Sequence, residues 1–134
     1  MTLVTTSRRS TIESRDLARD LAFALGARYL ARGKHGIREL IGTDSSIFII
    51  SQEKNETILR WYNNGQPEFE RRILKIECRV REGLLTKGIV TSDIDLFSRL
   101  HQIYPVISKP QEEPVLIMDG PQRRQTILKI GTKI

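Results

Sequence analysis

The stretch Ser46-Ile47-Phe48-Ile49-Ile50 constrains this chain more than any other. Its side chains are almost continuously apolar. A strand with one wet face alternates, so an unbroken apolar run predicts a central strand covered on both faces, as in α/β packing. The preceding residues supply elements to pack against it. Leu3 to Thr6 reads as a short strand. Leu17, Ala18, Leu21, Ala22 and Leu25 recur at helical spacing. Ser10 and Glu13 have capping-box spacing and Gly26 suits a C-cap, which predicts a helix over Thr11 to Leu25. Arg28 to Ala31 reads as a second short strand. A short helix is expected over Ile37 to Ile41, with Leu40 and Ile41 inward, making a compact crossover into Ser46–Ile50.

Beyond residue 50 the pattern turns β-rich. Thr57 to Tyr62 predicts a strand, and Asn63-Asn64-Gly65-Gln66-Pro67 a turn. From Leu74 to Arg81 the alternation has period two. It assigns Leu74, Ile76, Cys78 and Val80 to a buried face and Lys75, Glu77, Arg79 and Arg81 to a wet one, with Ile73 on the wet side. Gly88 to Thr91 suggests a strand. Ser92 and Asp95 again have cap-and-N3 spacing, predicting a helix over Asp93 to Leu100 with Ile94, Phe97, Leu100 and His101 inward. Val115 to Met118 and Thr126 to Ile130 read as a hairpin around Asp119-Gly120-Pro121. The fold class expected is α/β, with mixed sheets and short covering helices.

At 134 residues and 39% hydrophobic content, the chain suits one structured domain and not extended disorder. Its 22 basic and 16 acidic side chains leave a net charge of +6. That excess is uneven. Residues 1–41 hold eight basic and four acidic side chains, a balance of +4, while residues 42–110 and 111–134 each carry +1. A basic first third favours a polyanionic partner. Cys78, the single cysteine, allows no intramolecular disulfide and fits a reducing compartment. Met1 to Thr6 is too short for a secretory apolar region, and no stretch is long enough to span a bilayer. A soluble cytoplasmic protein with no membrane partner is the expectation.

Two basic clusters are candidate sites. Arg8 and Arg9 lie between a strand and a helix start, where free backbone N–H groups and the helix dipole favour a phosphate; solvent-facing turn residues are the other reading. Arg32, Lys34 and Arg38 form the second cluster, with Gly33 and Gly36 allowing close backbone approach; a solvated loop is the alternative. Gly33-Lys34 lacks the spacing of a Walker A loop. Arg71, Arg72, Lys75, Arg79 and Arg81 are diluted by Glu68, Glu70, Glu77 and Glu82 and read as a mixed sheet surface. Arg123 and Arg124 sit near a hairpin turn and could extend a basic surface.

Catalytic constellations are missing from the sequence. There is no Cys/His metal spacing, and no motif ties His35 or His101 to a nucleophile. Helix capping accounts for Asp93, and local pairing with Arg15 and Arg19 for Asp16 and Asp20. Trp61 and Tyr62 should point to opposite faces of their strand. Tyr29 and Tyr104 read as packing residues with wet hydroxyls. No cofactor is expected.

Leu3-Val4-Thr5-Thr6-Ser7-Arg8, Ser14, Arg19-Asp20-Leu21-Ala22, and above all Arg32-Gly33-Lys34 with Ile37 and Glu39-Leu40, resemble archaeal Brix-domain proteins of the Imp4-like group. The resemblance covers roughly residues 2–62. It implies a single Brix domain over 1–134, built as two fused halves resembling anticodon-binding-type domains, with subdomains at approximately 1–67 and 68–134. It also implies a non-enzymatic role in ribosome biogenesis, with rRNA or pre-rRNA and ribosome-assembly proteins as partners. Arg32, Gly33 and Lys34 would then lie near the RNA-recognition region, while Ile37 and Leu40 would pack. The family has a fuller helix before the strand corresponding to Ser46–Ile50. A protein-interaction adaptor using the strand-rich surface beyond residue 68 is the competing function. A metal-dependent hydrolase using Asp93 and Asp95 is a third.

Overall fold

The computed structural model of the chain describes residues 2–7, 10–31, 36 and 45–131. The helix expected over Ile37 to Ile41 lies outside them. The described elements are β1 (Thr2–Thr6), α1 (Ile12–Leu25), β2 (Arg28–Tyr29), β3 (Ser46–Glu53), β4 (Glu56–Asn63), β5 (Gln66–Val80), β6 (Ile89–Thr91), α2 (Ile94–Leu100), β7 (Val106–Ser108), β8 (Val115–Asp119) and β9 (Arg124–Gly131). All nine strands join one sheet in the order β2-β1-β3-β4-β5-β9-β8-β6-β7. β1 runs parallel to β2 and β3, and β6 parallel to β7; every other neighbour is antiparallel. On either side of β5 the order reads alike: β4, β3, β1, β2 on one side and β9, β8, β6, β7 on the other.

β3 is buried on both faces, as its apolar run predicts. Phe48 and Ile50 join the main core with Leu17 and Leu21 of α1, Trp61, Leu96 and Leu100 of α2, and Leu116. Ile47 and Ile49 point the other way and form a second cluster with Leu3, flanked by Leu30 and Tyr62. The two halves interlock. Tyr104, beyond α2, places its ring edge-on to Phe48 at 5.6 Å and donates its hydroxyl to Ser46 Oγ at 2.6 Å. Ser46 Oγ also accepts from Trp61 Nε1 at 2.6 Å. In the reverse direction, Asp20 of α1 accepts from Thr126 Oγ1 at 3.1 Å and pairs with Arg124. The Tyr104 hydroxyl is therefore buried and bonded, not wet.

Several sequence expectations need correction. α1 is capped by Thr11, whose side chain accepts from Ser14 N, so the cap sits one residue beyond Ser10. Gly26 does close the helix, at φ 67°. Asp93 caps α2 by accepting from Leu96 N, and Leu96 and Leu100 are its buried residues; Ile94 is 73% exposed. The face predicted for β5 holds for Ile76, which packs against the core, and fails at Ile73 and Leu74, which exchange places; Cys78 and Val80 lie on the side of Ile76 but are exposed at the strand's end. The cause is a bulge, because the β5–β9 register shifts between Ile73 and Lys75. Leu74 is the extra residue, and an extra residue reverses which parity faces the core. Asp20 is buried and serves a long-range contact instead of local pairing.

Candidate nucleic-acid interface

Arg8, Arg9, Arg32, Gly33, Lys34, Arg38 and His35 lie outside the described residues. The positions from which their segments depart do not. Ser7 N donates to Ile50 O at 3.0 Å, holding the end of β1 against β3. Leu30 N donates to Val4 O at 3.0 Å, and Thr5 Oγ1 donates to Leu30 O at 2.6 Å. β1 and β2 are parallel neighbours, so both basic segments leave from strand carboxyl ends at one sheet edge. β1 also lies between β2 and β3, where the strand order reverses direction. Crevices outside the carboxyl ends of strands at such a switch point are the usual ligand sites of α/β sheets.

Further along that edge arrive the carboxyl ends of β5 and β8, whose pairing gives them the same direction as β1. The edge there carries Arg79, Arg81, Arg123 and Arg124. Arg81 N donates to Arg123 O at 2.6 Å and Arg79 Nε to Gln125 Oε1 at 2.6 Å. Sequence reading placed these arginines in two unrelated groups. The pairing of Val80 with Arg124 unites them, and that register is a long-range property.

A groove of about 760 Å³ opens where β4 meets β5 and β6 hands over to α2. Trp61, Tyr62, Pro67 and Phe69 supply its apolar wall. Its polar side centres on Arg71, which sequence reading placed on a wet face but which is 8% exposed. Arg71 Nε donates to Asp93 Oδ2 at 2.8 Å and its Nη2 to Asp95 Oδ2 at 2.7 Å. Arg99 Nε donates to Asp95 Oδ1 at 3.1 Å. Burial opposes the Arg71 charge, yet the two carboxylate partners hold its pKa above the ordinary arginine value. Asp95 is held below the usual carboxylate range, chiefly by the hydrogen bond from Arg71. The guanidinium thus stands where a cation between Asp93 and Asp95 would stand, which argues against those carboxylates as a metal pair. Among the described residues no group of three or more His, Cys, Asp or Glu side chains is placed to hold a metal ion. His101 stacks on Phe97 at 4.7 Å and directs Nδ1 at the Phe97 carbonyl, a helix-end role. Among the described residues no helix is long and apolar enough to cross a membrane.

These features define a mixed α/β protein with one multi-stranded sheet, short flanking helices and a basic strand-end edge. Its architecture matches that of two solved structures over almost the whole chain. Mil, an archaeal Imp4-like protein, superposes with a TM-score of 0.64 at 18% identity, covering 96% of this chain and 95% of its own. A probable ribosomal biogenesis protein from Aeropyrum pernix K1 gives a TM-score of 0.64 at 18% identity, covering 98% and 96%. At this identity the likeness is one of fold, and at that level the Imp4-like resemblance read from residues 2–62 is borne out across almost the whole chain. No protein-family model matches the chain, and no curated protein matches it significantly.

Proposed function

We propose that this chain is a non-enzymatic, cytoplasmic ribosome-biogenesis factor that binds rRNA or pre-rRNA, working beside ribosome-assembly proteins. The observation that carries the reading is the near-complete fold match to an archaeal Imp4-like protein and to a probable ribosomal biogenesis protein. The residues that precede the basic segments support it: Ser7 and Ala31 follow adjacent parallel strands at the switch point of the sheet, where donors on the following residues would meet phosphates. The repeated strand order about β5 supports a Brix domain of two fused halves, each resembling an anticodon-binding-type domain, meeting near residue 67. Affinity would come from phosphate contacts, and choice of target from the shape of a folded RNA element.

The test is binding to a precursor-rRNA transcript across a salt titration. Wild-type affinity should fall steeply with salt. Replacing Arg32, Lys34 and Arg38 together by glutamine should weaken binding about tenfold or more and flatten the slope by about 2. A folded triple variant with unchanged affinity and slope would remove this site assignment. Loss of a protein partner from nuclease-treated extract, with RNA binding intact, would favour the adaptor reading.

A further inference from the structure

We infer that Arg79, Arg81 and Arg123 form a second phosphate-binding surface, so that one RNA contacts both halves of the sheet along its basic edge. The inference rests on the RNA-binding reading above and joins Arg123, which the sequence offers as an extension of a basic surface, to Arg79 and Arg81, which it reads as part of a mixed-charge sheet.

Charge compensation sets these arginines apart. Arg60, Arg71, Arg72, Arg99 and Arg124 each pair with a carboxylate. Among the described residues, the hydrogen bonds of Arg79, Arg81 and Arg123 go to neutral groups; Glu77, two residues before Arg79 and within its electrostatic reach, is ion-paired with Lys75. Arg79 Nε donates to the Gln125 side chain, Arg81 Nη1 to Gly120 O at 3.1 Å, and Arg123 Nη2 to Arg81 O at 3.3 Å. Such bonds orient a guanidinium without neutralising it. Each head keeps further N–H donors for the bidentate geometry that phosphate oxygens accept. Arg81 Nε is buried and has no hydrogen-bond partner at all. The neighbouring acids are occupied: Asp119 accepts from Gln125 Nε2 and Thr86 N, both at 2.8 Å, and Asp20 takes Arg124. Glu82, next to Arg81 in the chain, is the exposed exception.

Backbone conformation is a second, separate observation. Three hairpins in this chain turn through paired positive-φ residues, the pattern of a type I′ turn. One uses Asn64 and Gly65 (φ 52° and 79°), and a second uses Lys54 and Asn55 (50° and 65°). The third uses Gln122 and Arg123 (58° and 62°), closed by Arg124 N donating to Pro121 O at 3.2 Å. Asn-Gly is the relaxed choice for such a turn, and a long side chain at both positions is the strained one. The strain sits at the residue that carries its guanidinium to Arg81. Strained backbone held by its surroundings is a mark of functional positions.

Geometry makes a shared ligand feasible. β5 lies three strand spacings from β1 and β8 lies five. At about 4.8 Å per spacing β5 stands roughly 14 Å across the sheet from β1, and because Thr6 is level with Arg71, Arg79 lies a further eight residues, roughly 26 Å, along β5, a span that a folded RNA element covers.

The test compares wild type, R79Q/R123Q, R79Q/R81Q/R123Q and R32Q/K34Q/R38Q on one precursor-rRNA transcript over a salt series, with thermal melts to verify folding. The triple variant R79Q/R81Q/R123Q should lose about tenfold or more in affinity, with a slope shallower by about 2. The double variant, which keeps the Arg81 side chain, should flatten the slope by about two-thirds as much. If either folded variant binds with wild-type affinity and slope while wild type binds tightly, the surface is not an RNA contact and the functional reading stands. Wild type with no salt-dependent RNA binding would remove the functional reading and this inference with it. Loss of an assembly protein from nuclease-treated extract by R79Q/R123Q, at unchanged RNA slope, would also overturn it.

Discussion

Arg71 shows how much can turn on one side chain in a chain with few catalytic signals. It leaves β5 among apolar neighbours, lies 5.6 Å from the Phe69 ring centroid, and reaches Asp93 and Asp95 at the start of α2. Removing it strands the Asp93 carboxylate, whose side chain is only 14% exposed. Removing one partner of a largely buried ion pair costs on the order of 3 kcal/mol. R71A should therefore lower the urea midpoint markedly. Asp95, more exposed, adds a smaller pH-dependent part. Its folded pKa is depressed. Its contribution is thus present above the unfolded value of about 3.9 and is lost as pH falls through the lower folded value. Urea midpoints from pH 7 down to pH 2.5 should fall on the acid side for wild type. R71A should start lower and lose part of that dependence; an equal acid-side fall in both proteins would show that Asp95 draws its shift from elsewhere.

Elements written in local patterns were legible from sequence, and those set by distant pairing were not. The β3 apolar run announced a doubly buried strand, and α1 was visible from Leu17 to Gly26 with its cap misplaced by one residue. β5 defeated the alternation because Leu74 is an inserted residue, and bulges arise from pairing with β9. The union of Arg79 and Arg81 with Arg123 was hidden for the same reason. Arg8, Arg9, Arg32, Gly33, Lys34 and Arg38 were legible as a charge-rich pattern, while the common edge at which β1 and β2 end before the first two segments follows only from strand direction. The bulge makes a direct prediction. I73A should cost about 2–3 kcal/mol, since Ile73 packs in the core. L74A should change stability by less than about 0.5 kcal/mol, because Leu74 is 62% exposed. Denaturant midpoints giving the reverse order would refute the phase inversion. The turn makes another. Q122N/R123G should relieve about 1 kcal/mol of backbone strain and raise the melting temperature, while weakening RNA binding through the lost guanidinium. A variant both less stable and equally tight on RNA would contradict both readings of that turn.

At the scale of the molecule, the question is whether two similar strand groups make two folding units. Strand order is repeated about β5, which suggests division, but the packing crosses it in both directions. Tyr104 packs edge-on against the stacked Phe48 and Trp61 rings and bonds Ser46, while Asp20 reaches Thr126 and Arg124. β5 pairs with β4 along one half and β9 along the other, so cutting the chain near residue 67 would leave one group without a strand it needs. Buried polar contacts of this kind leave unsatisfied groups when either side unfolds alone. Cooperative two-state behaviour should follow. Trp61 is the chain's single tryptophan and lies in the core of the first group with Tyr104 of the second packed on it, so its fluorescence reports the first group and its contact with the second. Far-UV circular dichroism reports all nine strands. Urea transitions followed by the two signals should coincide, and fragment 1–67 should show no cooperative transition. D20A and Y104F should lower both midpoints together. A tryptophan signal that melts apart from the dichroism would show two independent units, and would leave RNA contact across the whole basic edge dependent on a hinge instead of a single rigid sheet.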